Sequence, residues 1–323
     1  MVTRMDGEEL AARTRVRVRV PSKINLFLAL HGVRDDGYHD LVTVLQTVSL
    51  YDTVTARLEG RTAQHPAARR SMRFDFTQGA VAGVPTDGTN LAVRAAETLM
   101  AELGFGTACS GSGPTTRLHL DKSIPVAAGM AGGSADAAAT LVALDALWGA
   151  DLGRDRLREL AADLGADVPF CVGGGTALAT GTGTNTAQVL TRGSYHWVVG
   201  ISDAPLATPE VYRAADEVGA ATGAQPDAVL QALRTGDAEA LGAAIHNDLE
   251  AAALHLRPEL ADARGALLEA GALGALVSGS GPTVVGLAAS AQDALRLARE
   301  VEGVFDRVEV AQSPAGGPDV SAE

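Results

Sequence analysis

Pro125-Val126-Ala127-Ala128-Gly129-Met130-Ala131-Gly132-Gly133-Ser134-Ala135-Asp136 is the stretch on which the reading of this chain turns. Glycines and a serine precede an alanine- and leucine-rich run whose composition predicts a helix over residues 134–147. A glycine turn that opens a helix makes an anion cradle, because its backbone amides converge and the helix end carries partial positive charge. The common nucleoside-triphosphate loop reads G-x-x-x-x-G-K-[ST], and no lysine follows the glycines here. The stretch therefore reads as a phosphate loop of a different class, with a tight packing turn as the plain alternative. Gly129, Gly132 and Gly133 permit close backbone approach to an anion. Ser134 is placed to cap the helix or to help hold a phosphate-bound magnesium ion.

Upstream, residues 14–20 alternate. Val16, Val18 and Val20 share one face and Arg15, Arg17 and Arg19 the other, which predicts a half-buried strand. Pro21 is expected to interrupt it, with Ser22-Lys23-Ile24-Asn25 bending into a second apolar run over 26–30. Further strands are expected over 41–50, 52–58, 71–76, 115–121 and 173–180, and helices over 90–103 and 154–164, with Thr89 or Asn90 as the cap of the first. A second unit begins near residue 191. Its expected strands cover 196–201, 275–277, 284–288 and 305–310, and its helices 209–218, 226–234, 237–243, 258–269 and 291–302. Short strands mixed with helices predict an α+β protein of two such layers. Residues 1–13 and 315–323 are polar and are expected to be flexible ends.

With 323 residues and 46% hydrophobic content, the chain is long enough for two ordinary domains. A net charge of -13 argues against a general nucleic-acid coat, yet leaves room for an anionic small substrate in a locally positive cleft. Cys109 and Cys171 give no disulfide framework and read as buried small side chains. The histidines show no zinc-site spacing. No signal-peptide layout or bilayer-length apolar run is present, so a cytoplasmic protein with no membrane partner is expected.

Other candidates for chemistry lie outside the loop. Lys23 and Asn25 point to one side if the chain is extended there, making either a polar site or a solvent-reaching bend. Asp167, in Leu164-Gly165-Ala166-Asp167-Val168-Pro169, is either a turn-capping carboxylate or a positioned base. Gly37-Tyr38-His39 offers rings for stacking, or a hairpin tip with its tyrosine folded back. Ser278-Gly279-Ser280-Gly281-Pro282-Thr283 is a second glycine–serine turn.

Together these pieces resemble the GHMP kinase superfamily. Pro21-Ser22-Lys23-Ile24-Asn25-Leu26, Asp36-Gly37-Tyr38-His39, Gly165-Ala166-Asp167-Val168-Pro169 and Asn247-Asp248-Leu249-Glu250 narrow the likeness to its cytidine-substrate branch, the 4-diphosphocytidyl-2-C-methyl-D-erythritol kinases. The resemblance implies an N-terminal ATP-binding domain at 14–188, a C-terminal substrate-side domain at 191–314, and an active site in the cleft between them. It implies ATP and Mg2+ as cofactors, a cytidine diphosphate small molecule as substrate, no nucleic acid, and a monomer or homodimer. Lys23 and Asp167 match the family's catalytic pair. Pro125, Ala127, Ala128, Gly129, Met130, Ala131, Gly132, Gly133, Ser134 and Ala135 match its triphosphate loop, with Asn90 near the adenine and Ser134 beside the metal. Asn25, Tyr38, His39, Thr208 and Tyr212, together with Asp167, match its substrate side. Another kinase of the superfamily, or a non-catalytic nucleotide sensor on the same fold, remains the alternative.

The chain departs from the family in two places. Family loops commonly read Gly-Leu-Gly-Gly-Gly-Ser-Ser, whereas Ala131 stands here for a glycine and Ala135 for a serine. A methyl group at Ala131 is tolerable if its φ is negative, and losing a hydroxyl at Ala135 removes one possible phosphate donor. The segment 61–70 also looks longer than usual, and Arg69 and Arg70 could shade the nucleotide cleft.

Overall fold

The valine–arginine alternation builds the first strand, but the strand does not stop at the proline. β1 (Arg15–Val33) runs on through Pro21, with register shifts against β2 (His39–Glu59) at Pro21/Ser22, Asn25/Phe27 and Leu30/Gly32. A proline is tolerated at such an irregularity because the ladder is already broken there. Val16, Val18 and Val20 are fully buried, as the alternation predicts. From Val20 to Leu30 every residue of β1 is buried, because this part is covered on both faces. β2 likewise joins the two strands expected over 41–58 into one.

The computed structural model describes residues 14–35, 37–59, 71–78, 83–107 and 115–322. Cys109 and the segment 61–70 lie outside them. The first half continues with β3 (Ser71–Gln78), α1 (Leu91–Glu102), β4 (Gly106–Thr107), β5 (Thr115–Asp121), α2 (Gly132–Trp148), α3 (Gly153–Ala162), α4 (Val168–Gly173), β6 (Thr176–Gly181) and β7 (Asn185–Gln188). The second half has β8 (Tyr195–Ile201), α5 (Thr208–Val218), α6 (Asp227–Thr235), α7 (Ala238–Ala244), β9 (His246–Asn247), α8 (Leu249–Leu256) and α9 (Glu259–Glu269). It ends with β10 (Gly274–Val277), β11 (Val284–Ala288), α10 (Ala291–Glu300), β12 (Arg307–Ser313) and β13 (Asp319–Ala322).

Two sheets organise the α+β fold. The larger runs β13-β1-β2-β5-β3-β4, with β6 on β2, β7 on β6 and β9 on β1; the smaller runs β10-β11-β8-β12. α2 packs against β1, β2, α1 and α4. Its alanines at 135, 137, 138, 139 and 143 are fully buried, so small side chains let these layers approach closely. The smaller sheet alternates as a two-sided sheet should. Trp197 and Val199 join the core shared with the larger sheet, while Val198 and Val284 face the cluster that contains residues of α5, α8, α9 and α10.

Several expectations need correction. Of the end expected to be flexible, residues 319–322 form β13, antiparallel to β1 at Val16–Arg19. Before it, Gly316 O accepts hydrogen bonds from Thr47 Oγ1 and Gly175 N. Backbone pairing, not side-chain burial, holds this segment, and its polar composition hides that. The short elements α4, α8 and β7 were also unforeseen.

Candidate active site

The glycine loop sits where the sequence puts it, but its backbone is more strained than expected. Ala127, Gly129 and Ala131 all have positive φ, at 54°, 69° and 57°. Alternating left-handed residues curl successive amides toward one side, the geometry of an anion nest. α2 starts at Gly132, one residue after Ala131, and no side chain caps its first turn, which contains no acidic residue. Ser134 therefore lies inside the first turn instead of capping it. Gly129 could be no other residue: a Cβ there would stand 2.7 Å from Ser278 O and 2.9 Å from Gly281 O. The loop is also fastened to β1, since Ser22 Oγ donates to Met130 O at 3.0 Å.

Two irregularities of β1 bracket Ser22 to Asn25 and turn Lys23 and Asn25 into a cleft of about 1190 Å³. Lys23 Nζ donates to Asn25 Oδ1 at 2.8 Å and lies 3.5 Å from Asp167 Oδ2. Asn25 is oriented in turn, its Nδ2 donating to Thr43 Oγ1 and Thr43 Oγ1 to Phe27 O. Asp167 is the residue before α4 and makes no side-chain capping bond, which removes the turn-capping alternative. Its side chain is 34% exposed against 6% for Lys23, so the carboxylate faces the open cleft. The Ser278–Ser280 turn closes this wall. Asn25 N donates to Ser278 Oγ, and Asn247 Nδ2 donates to Val277 O and Gly279 O.

In the same cleft, the His39 and Tyr212 rings lie 5.0 Å apart at 42°. His39 Nε2 is 2.8 Å from Asp216 Oδ1. Burial, reinforced by the charge of Asp167, pushes the Tyr212 phenol up to about 12. Tyr38 is 68% exposed at the rim. Thr208 pairs with Ser280 through their hydroxyls at 3.0 Å. Asn90 caps α1 by accepting from Ala92 N and donates to Pro85 O, so it shapes the wall with both polar atoms engaged.

Comparison with known proteins adds a family. The model of the GHMP kinases N terminal domain matches residues 90–175, and that of the GHMP kinases C terminal region matches residues 229–307. The chain belongs to the GHMP kinase family. Over 322 residues it is 47% identical to the 4-diphosphocytidyl-2-C-methyl-D-erythritol kinase of Salinispora tropica, covering 97% of this chain and 96% of that one. It is 49% identical over 291 residues to the enzyme of the same name from Thermobifida fusca, covering 89% and 91%. A crystal structure of 4-(cytidine 5'-diphospho)-2C-methyl-D-erythritol kinase superposes with a TM-score of 0.73 at 33% identity, covering 92% of this chain and 98% of that one. Homoserine kinase from Cytophaga hutchinsonii gives the same TM-score of 0.73 at 19% identity, covering 99% and 100%, a likeness of fold alone.

In this GHMP kinase, every expected site residue but one borders the single cleft just described. The exception is Ala135, which is fully buried in the core, its amide donating to Ala131 O. Position 135 therefore offers no side-chain atom to the cleft in this chain. The condition attached to Ala131 also fails, because its φ is positive. Sequence reasoning missed Lys122, which lies between Asp52 and Asp136 at 2.5 and 2.7 Å. The available signal was Asp136 itself, an acid inside an alanine run. Cys171 is buried as expected, and burial pushes its thiol up, away from the reactive thiolate form. No helix among the described residues is long and apolar enough to cross a membrane.

Proposed function

We propose that this GHMP kinase transfers the γ-phosphoryl group of ATP to the 2-hydroxyl of 4-(cytidine 5'-diphospho)-2-C-methyl-D-erythritol, in the non-mevalonate route to isopentenyl diphosphate. One observation carries the reading. The Lys23–Asn25–Asp167 cluster lines the same cleft as the glycine loop and the His39/Tyr212 ring pair. A triphosphate on the loop and a base against the rings would bring the acceptor hydroxyl to Asp167. The names of the relatives support the same substrate.

Each residue then has a task. The amides of the loop and of the first turn of α2 hold phosphate oxygens. Asp167 accepts the hydrogen bond of the acceptor hydroxyl, orienting it and taking its proton as the new bond forms. Lys23, held by Asn25, stabilises the negative charge that develops during transfer. Tyr212 and His39 supply apolar ring surface for the base, and Tyr38 closes the rim.

The residues present fit a magnesium ion that takes most of its ligands from phosphate and water. The Ser134 hydroxyl borders the cleft, and no cluster of acids, histidines or cysteines among the described residues forms an all-protein cage. When bound, the ion neutralises charge on the phosphates. Ser134 is the residue that would hold it.

The test supplies ATP, magnesium and a panel of alcohols that includes the cytidine diphosphate compound, homoserine and mevalonate, and follows ADP release coupled to phosphorylation. The cytidine compound should show the highest kcat/KM. A preference for homoserine or mevalonate would overturn the substrate assignment. Tyr38→Ala should raise KM for the cytidine compound and leave ATP binding nearly intact.

A further inference from the structure

The glycine loop has no lysine after it, but it has one just before it. Lys122 leads into the loop from β5, and its side chain is 3% exposed. Its ammonium lies against the cradle: a Cβ on Gly132 would stand 3.1 Å from Lys122 Nζ, and Lys122 and Asp136 both border the cleft. Asp52, on β2, accepts from Lys122 Nζ through Oδ2 and from Ser123 N and Ile124 N through Oδ1, at 2.6 and 2.9 Å. This ties down the entrance of the loop. Asp136, on α2 just beyond its first turn, accepts from the same ammonium at 2.7 Å and ties down the exit. Both ends of the 125–131 segment are thus joined to one strand through one charge.

We propose that Lys122, clamped by Asp52 and Asp136, is a positioning residue that sets the glycine loop in register for the triphosphate. The inference rests on the reading of that loop as a nucleotide site. Two carboxylates hold the ammonium against the loop, so its position and that of the loop are set together. Stability alone explains the cluster poorly, because apolar residues often replace a buried ion pair or triad without loss.

The test uses the full chain with Mg–ATP, reading ATP affinity by calorimetry, KM for the alcohol, and hydrogen exchange of the loop amides. Asp136→Asn and Lys122→Met should each weaken ATP binding about tenfold or more, since small misplacements of a binding group are costly. KM for the alcohol should stay within about twofold, and amides 129–135 should exchange faster. If Lys122→Met does not fold, the near-isosteric Asp136→Asn carries the test alone. Unchanged ATP affinity in folded Asp136→Asn overturns the proposal, as does an equal loss for ATP and alcohol, the mark of general destabilisation. Failure of the unsubstituted protein to bind Mg–ATP would instead overturn the nucleotide reading, and this inference with it.

Discussion

Lys23 and Lys122 both bury an ammonium group beside the glycine loop, yet their partners differ. Lys23 meets a neutral amide oxygen at 2.8 Å and a half-buried carboxylate at 3.5 Å. Lys122 meets two carboxylates, both almost fully buried, at 2.5 and 2.7 Å. An ammonium has three donors. The carboxylate beside Lys23 opens onto the cleft, whereas both partners of Lys122 are shut away from solvent. Burial pulls the Lys122 ammonium down, but Asp136 and Asp52 outweigh it and hold it above its ordinary value. One lysine is therefore placed for chemistry and the other for architecture, and substitutions should separate the two.

The largest effect is expected at the cleft. Lys23→Met and Asp167→Asn should each lower kcat by about 10²–10⁴-fold, the usual worth of a positioned acid–base or charge-stabilising group. For Asp167→Asn the melting temperature should move little, because Asp167 already reaches solvent. Lys122→Met should do the reverse to the fold. It removes the shared partner of buried Asp52 and Asp136, and breaking a buried ion pair typically costs about 3–5 kcal/mol. Denaturant titration of both variants checks this, and equal destabilisation by Lys23→Met would erase the distinction.

A pH series sharpens the same contrast. The Asp136 carboxyl is raised by burial to about 8, from an ordinary value of 3.8. The folded protein then holds this proton more tightly than the unfolded chain. The stabilisation is fully present below 3.8 and is lost progressively as pH rises through about 8. One such proton contributes at most about 1.4 kcal/mol per pH unit. The unsubstituted protein should therefore lose more stability between pH 5.5 and pH 8 than Asp136→Asn, as thermal unfolding at each pH would measure.

Much of this was legible in the chain. The alternation over 15–20, the glycine loop and the alanine-rich helix are local patterns, and they announce themselves. Lys23 and Asn25 meet because β1 is extended there, as their two-residue spacing requires. What escaped was non-local or carried by backbone. Asp52 and Asp136 are far apart in sequence, and only the packing of α2 on β2 brings both to Lys122. The strand β13 is polar and pairs through its main chain. α4 is short and runs straight into Gly174-Gly175, so it reads as a loop. Pro169 in its first turn is the one local signal of a helix start there.

The smallest expected effect concerns the loop's own backbone. Ala131 has φ 57°, and it immediately precedes α2. An L-residue in the left-handed region costs about 1–2 kcal/mol that glycine escapes. Glycine in turn loses more conformational freedom on folding, about 0.4–1 kcal/mol. Ala131→Gly should therefore stabilise the protein slightly, by about 1 kcal/mol or less. The methyl group has a second consequence, because it restricts the loop to the conformation that the Lys122 clamp also enforces. If the clamp alone sets the register, Ala131→Gly should leave ATP affinity within about threefold of the unsubstituted value. If the methyl group shares that task, the variant should lose affinity while gaining stability. Pairing Ala131→Gly with Asp136→Asn then separates the cases. Losses that add mean independent restraints, and a loss greater than additive means that methyl group and clamp back each other up.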